Sequence, residues 1–242
     1  RGLGDVYKRQ EEHFGVEITK EKLAEAIKLH NETRRLQQEI YEMQKGEEVY
    51  LTGLELLMVM LAGVSLPRPE YNKMMKDLIA ALKANGPRIK PKVRLLYTGG
   101  HADNPEFFEL LQQNDAHVVS DNTGFGTRAA DVLICEDGDP LEAIINYYFE
   151  EKPAATRQMG TQVERMERLL DLVKQYKADG VVASRLYMCD LWAFEHFLMR
   201  KRLHENNVPF LELEVDYTPE GQGQIKTRVQ AFVESLADRQ TA

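Results

Sequence analysis

Cysteine is scarce in this 242-residue chain: Cys135 and Cys189 are the only two. Two thiols cannot build a disulfide framework, and no secretory signal is visible, so a reduced, cytoplasmic setting is expected. A basic excess is missing too. Lys and Arg number 31 against 39 Asp and Glu, a formal charge of −8, and without a basic footprint nucleic acid is excluded as the main partner. No apolar run reaches the roughly 18–20 residues that span a bilayer; the longest, around Leu54–Val64, contains Glu55 and Gly63. The P-loop pattern G-x-x-x-x-G-K-[ST] is absent, which excludes a P-loop NTPase. So are the G-x-S-x-G elbow of serine hydrolases and the paired Cys or His spacings of zinc sites. The rest of the composition, 43% apolar and 29% charged, describes an ordinary globular chain of one or two domains.

The opening Arg1–Gln10 (RGLGDVYKRQ) shows neither helical nor strand periodicity that continues into the residues after it. It is taken as a non-native leader, with upstream sequence lost, and excluded from the fold reading. From Glu11 the pattern is coherent. Thr19 followed by Glu21 predicts a helix start, and Leu23, Ile27, Leu29, Leu36, Ile40 and Met43 recur at near-helical spacing up to Gly46. Further helices are expected over 53–62 and 69–84, where Pro69 suits a first helical turn. Asn85-Gly86-Pro87 marks a boundary, so 11–86 is expected to be a helical region and 87–242 an α/β domain.

Beyond Pro91 the grammar changes. Val93–Thr98, His117–Ser120, Gly180–Ser184 and Pro209–Val215 read as short strands. Between and after them, helices are expected over 105–113, 140–149, 161–176, 192–206 and 222–236. Strands separated by helices imply right-handed crossovers and a parallel sheet. Ligands of such sheets sit beyond the carboxyl ends of the strands. That rule selects four loops: Gly99-Gly100-His101, Asp121–Arg128, Arg185–Asp190 and Asp216–Gln224.

Each loop also has a plain structural reading. Gly99-Gly100 is no dinucleotide fingerprint and suits a tight turn, with His101 solvated. In Asp121–Arg128 two glycines permit close backbone approach, and Arg128 is suited to clamp an anion or carbonyl. Cys189 stands where a thiolate can bind metal or act as a nucleophile, although cysteines are commonly inert and buried. Cys135 ends the apolar stretch Asp131–Ile134 and reads as structural. Gly221–Arg228 opens the last helix, whose exposed amides favour an anion near Thr227 and Arg228.

Taken together, IKPKVRLLYTGG, HVVSDNTGFGTR, YKADGVVASRLYMCDLWAFEHFLMRKRL and VPFLELEVDYTPEGQGQIKTRVQAFVESL resemble the iron–sulfur subunits of the 2-hydroxyacyl-CoA dehydratase / benzoyl-CoA reductase family over residues 11–238. The resemblance implies a helical region followed by a flavodoxin-like parallel sheet flanked by helices. It implies a [4Fe–4S] cluster held between two such domains, or a double-cubane cluster in one branch, with Cys189 matching the ligand from the second domain. The first-domain ligands have no counterpart here. It implies a homologous second subunit, an ATP-dependent iron–sulfur activator that supplies an electron, and an acyl-CoA substrate dehydrated through a ketyl radical or, in the reductase branch, reduced in its aromatic ring. Asp121, Arg128, Gln224 and Arg228 are then expected around substrate or cluster. The alternatives are a benzoyl-CoA reductase-type subunit, a double-cubane-cluster reductase and a scaffold subunit without catalysis. The 242-residue chain alone, with one ligand cysteine, is expected to be inactive.

Overall fold

In the computed structural model the residues described are 2–100, 104–112, 116–158, 160–216 and 222–241. His101 and Gly221 lie outside them. The first element corrects the expectation from sequence: Gly2–Phe14 is a helix, α1. Helix-forming Lys, Arg, Gln and Glu run across its second half, and Gly15 at φ +62° supplies the left-handed residue that ends it.

Helix α2 spans Lys20–Glu42, with the Thr19 hydroxyl accepting from the Lys22 amide as expected. Helix α3, Gly53–Ser65, starts on a reciprocal cap between Thr52 and Glu55. Helix α4 is Arg68–Asn85, with Pro69 in its first turn. Four strands are arranged after it, β1 Val93–Gly99, β2 Ala116–Asn122, β3 Gly180–Leu186 and β4 Phe210–Val215. They pair in the order β2-β1-β3-β4, every pairing parallel. Helices α5 (Pro105–Leu111), α6 (Thr127–Ala130), α7 (Pro140–Asn146), α8 (Gln162–Gln175), α9 (Asp190–Glu205) and α10 (Gln222–Thr241) complete the chain, and a π-helical turn, Tyr147–Glu151, continues α7.

The central strands β1 and β3 are mostly apolar on both faces because both faces are covered. Alternation along β1 sends Leu96 to one side and Leu95 and Tyr97 to the other. Leu96 joins Val119, Val181 and Ala183 under α2, α3, α4, α8 and α9, where Ile40, Met60, Met75, Leu169 and Met199 are buried. Leu95 and Tyr97 join Val182 and Leu213 under α5 and α10, against Phe108, Leu111, Val229 and Val233. Helix α3 reaches both layers, Leu56 to the first and Leu57 to the second, so the helical region and the sheet share their cores.

Candidate functional site at the carboxyl end of the sheet

The chain runs from β1 outward to β2, then returns to the other side of β1 for β3 and β4. The direction reverses between β1 and β3, and the crevice of an open α/β sheet lies beyond the carboxyl ends at that switch point. Two loops meet there.

The loop after β1 begins with Gly100. A Cβ at this position would overlap the Trp192 indole, so the residue must be glycine for the loop to pack on the start of α9. Beneath it, the Tyr97 hydroxyl and Ser184 Oγ share a buried 2.5 Å hydrogen bond between β1 and β3.

The loop after β3 is shorter than the sequence suggests. Arg185 and Leu186 belong to the strand, because Arg185 crosses to Glu212 and Glu214 on β4. The free chain is then Tyr187-Met188-Cys189. The Tyr187 amide donates to Val215 O at 2.9 Å and the Cys189 amide to Leu186 O at 3.1 Å, a turn that forces Met188 to φ +61°. Cys189 becomes the N-cap of α9 without a side-chain capping bond. Its half-buried thiol sits at a helix N-terminus, an end that favours negative charge. Around it Tyr187, Met188, Leu191, Phe194 and Phe197 are all exposed, an apolar apron beside a thiol.

The loop after β2 is built inward. Asp121 and Asn122 are the last strand residues. The Asp121 carboxylate accepts from the Tyr41 hydroxyl, from the Thr123 amide at 2.9 Å and from the Thr123 hydroxyl at 2.7 Å; Thr127 Oγ1 donates to the Asp121 carbonyl at 2.7 Å. Burial first, then Asp121, pushes the Tyr41 phenol far above its ordinary pKa and keeps it a donor. A Cβ on Gly126 would strike the same carboxylate. Asp121 is therefore the internal knot of its loop. Arg128 leaves that loop half-buried and, among the described residues, forms no hydrogen bond or ion pair.

Between these loops lies a buried pair that sequence reasoning did not single out. Arg165 on α8 holds Glu195 on α9 in two bonds, 2.7 and 2.8 Å, and also donates to Ala155 O, Gln158 O and Thr161 Oγ1. Thirty positions apart, the two residues carry no local signature. Gln224 and Arg228 are exposed at the opposite edge, where Arg228 donates to Glu212 O at 2.7 Å. Asp121 and Arg128 thus lie by β2, Gln224 and Arg228 by β4, and Cys189 between them by β3; the outer strands are about 14 Å apart.

Asn31 clips the backbone of Ile134 through bonds of 2.7 and 2.9 Å, burying Ile134 beside Ile27 and Tyr147, while the next residue, Cys135, is exposed. Among the described residues no three His, Cys, Asp or Glu side chains converge as metal ligands do. One thiol does not fit an iron–sulfur cubane, which takes thiolates from several positions.

A doubly wound parallel sheet with a thiol in its switch-point loop defines an α/β protein whose candidate ligand crevice is at the strand ends. The family model described as "2-hydroxyglutaryl-CoA dehydratase, D-component" matches residues 2–236, and the chain belongs to that family. It is 28% identical to YjiM of Escherichia coli (strain K12), over 96% of this chain and 61% of that one. It is 24% identical to the (R)-phenyllactyl-CoA dehydratase beta subunit of Clostridium sporogenes, over 92% and 59%. It is 23% identical to a benzoyl-CoA reductase subunit of Thauera aromatica, over 97% and 61%. The chain spans about 60% of the length of these curated relatives. No helix among the described residues is long and apolar enough to cross a membrane.

Proposed function

We propose that this chain is part of an iron–sulfur subunit of a 2-hydroxyacyl-CoA dehydratase-type enzyme. In this reading it works in the cytoplasm with a homologous second subunit and an ATP-dependent iron–sulfur activator, in a radical, ketyl-type dehydration. Cys189 gives one thiolate to a [4Fe–4S] cluster or, in the double-cubane branch, to that larger cluster. The remaining ligands come from outside residues 1–242. Arg128 and Gln224 flank the acyl-CoA from the two edges of the sheet, Asp121 shapes the loop that carries Arg128, and Arg228 stands beside Gln224. The observation that carries the reading is the family match across residues 2–236 together with a lone half-buried thiol in the switch-point loop. Likeness to a benzoyl-CoA reductase subunit supports a reductase-type subunit as the second reading.

The test uses the full-length subunit, purified without oxygen together with its partner subunit. Iron and acid-labile sulfide are measured alongside electron paramagnetic resonance spectra. About four irons per cluster are expected, lost or redistributed in Cys189→Ala and retained in Cys135→Ala. Iron that is unaffected by Cys189→Ala, or never present, refutes the ligand assignment and leaves the scaffold reading in its place.

A further inference from the structure

A second group of side chains, away from the thiol, is unexplained by cluster ligation. Helix α2 runs alongside α6: Gln38 Nε2 donates to the carbonyls of Ala130 and Asp131 at 2.7 and 3.0 Å. One turn earlier on α2 stands Arg34, and Arg128 lies on α6 itself. The Arg34 guanidinium lies 4.8 Å over the Tyr147 ring. The π-helical turn then brings in a third cation, since the Lys152 amide donates to Tyr147 O at 2.8 Å and the Lys152 ammonium lies 5.2 Å over the Tyr148 ring.

Among the described residues none of these three cations is bonded to an anion. Among the described residues neither Arg128 nor the Lys152 ammonium has a hydrogen-bond or ion-pair partner, and Arg34 donates only to Asn31 Oδ1 at 3.3 Å. The buried Nε of both arginines is unpartnered. Three carboxylates around Arg128 are committed elsewhere: Asp121 to Tyr41 and Thr123, Asp131 to Arg168, Glu195 to Arg165. Burial lowers the Lys152 pKa, and Arg34 and Arg128 lower it further; burial and then Arg168 lower that of Arg128, with Asp121 and Glu195 offsetting only part of the fall. Desolvated like charges without a counterion are costly, and proteins retain them where a ligand supplies the opposite charge.

We propose that Arg34, Arg128 and Lys152 form a binding site for a phosphoryl dianion. Two planar forks and one point charge suit tetrahedral phosphate oxygens. A phosphoryl group brings about −1.5 to −2 at neutral pH, against −1 from a carboxylate, and so answers more of the threefold charge. The phosphate chemistry stands without the dehydratase reading; only the identity of the phosphate's source rests on it, because coenzyme A and free phosphate offer the same chemistry.

The probe is inorganic phosphate, titrated into the purified 242-residue chain and followed by 31P line broadening and calorimetry. Saturable binding is expected, with Kd raised at least tenfold in Arg128→Gln and in Lys152→Gln, partly recovered in Arg128→Lys, and unchanged in Lys73→Gln on α4. Circular dichroism establishes that the variants fold. Absence of binding, or binding indifferent to both neutralising substitutions, overturns the site. Displacement of the bound phosphate by coenzyme A assigns the source to a nucleotide thioester. Retention against coenzyme A keeps the site and counts against the acyl-CoA reading alone.

Discussion

Beyond β2 the chain turns back on a buried carboxylate, and the hydroxyls and amide around Asp121 bond inward. Beyond β3 the chain turns through a strained methionine to a half-buried thiol, with aromatic and aliphatic side chains exposed around it. The two loops start from neighbouring levels of one sheet, yet the first bonds its carboxylate and hydroxyls inward, leaving only Arg128 beyond them unpartnered, and the second leaves its thiol without a local partner. A loop whose reactive group lacks a local partner must be held from outside, and here that support comes from the buried Arg165–Glu195 pair joining α8 to the second turn of α9.

That dependence can be broken. Glu195→Ala leaves the Arg165 charge buried, and losing one partner of a buried pair costs about 3–5 kcal/mol. For a chain of this size the expected fall in Tm is roughly 6–20 °C. The double variant Arg165→Met/Glu195→Leu should recover most of the loss, since it buries no charge. Calorimetry of the three proteins checks this. A loss below about 1 kcal/mol in Glu195→Ala would mean that the open loop is braced by something else.

The closed loop answers to a smaller perturbation. Asp121→Ala strands the Tyr41 hydroxyl and the Thr123 amide, for a cost of about 1–3 kcal/mol. Asp121→Asn should cost less, because an amide oxygen replaces one acceptor. Denaturant midpoints at constant m-value measure both. If Asp121→Ala were neutral to stability but impaired acyl-CoA binding in the full-length subunit, the carboxylate would belong to the substrate rather than to its own loop.

The difference between the loops is only partly legible in the sequence. The four strands, their parallel arrangement and the position of Cys189 come from apolar runs and alternating helices, which are local signals. The strand ends are less visible. Arg185, Asp121 and Asn122 are polar and read as loop, yet cross-strand pairing and inward bonds keep them in the ladder. The first ten residues lack an obvious apolar stripe, and their helix rests on helix-forming side chains and a terminating glycine. The exposure of Cys135 is not legible in the apolar stretch it ends: the Asn31 clip fixes Ile134 inward and turns its neighbour out. Arg165 with Glu195, and Arg34 with Tyr147, join positions 30 and 113 apart; such contacts exist only once the helices are stacked.

The smallest expected effect concerns Met188 itself. A non-glycine residue in the left-handed region costs about 1–2 kcal/mol, and Met188, 76% exposed, has little packing to set against it. Met188→Gly removes the strain but adds chain entropy to the unfolded state, worth about 0.5–1 kcal/mol. The net expectation is a gain of a few tenths to about 1 kcal/mol, read as a small rise in Tm. Equal or lower stability would show that the methionine side chain is held in place, and the apolar apron around Cys189 would then count as packed structure rather than a surface left open for contact.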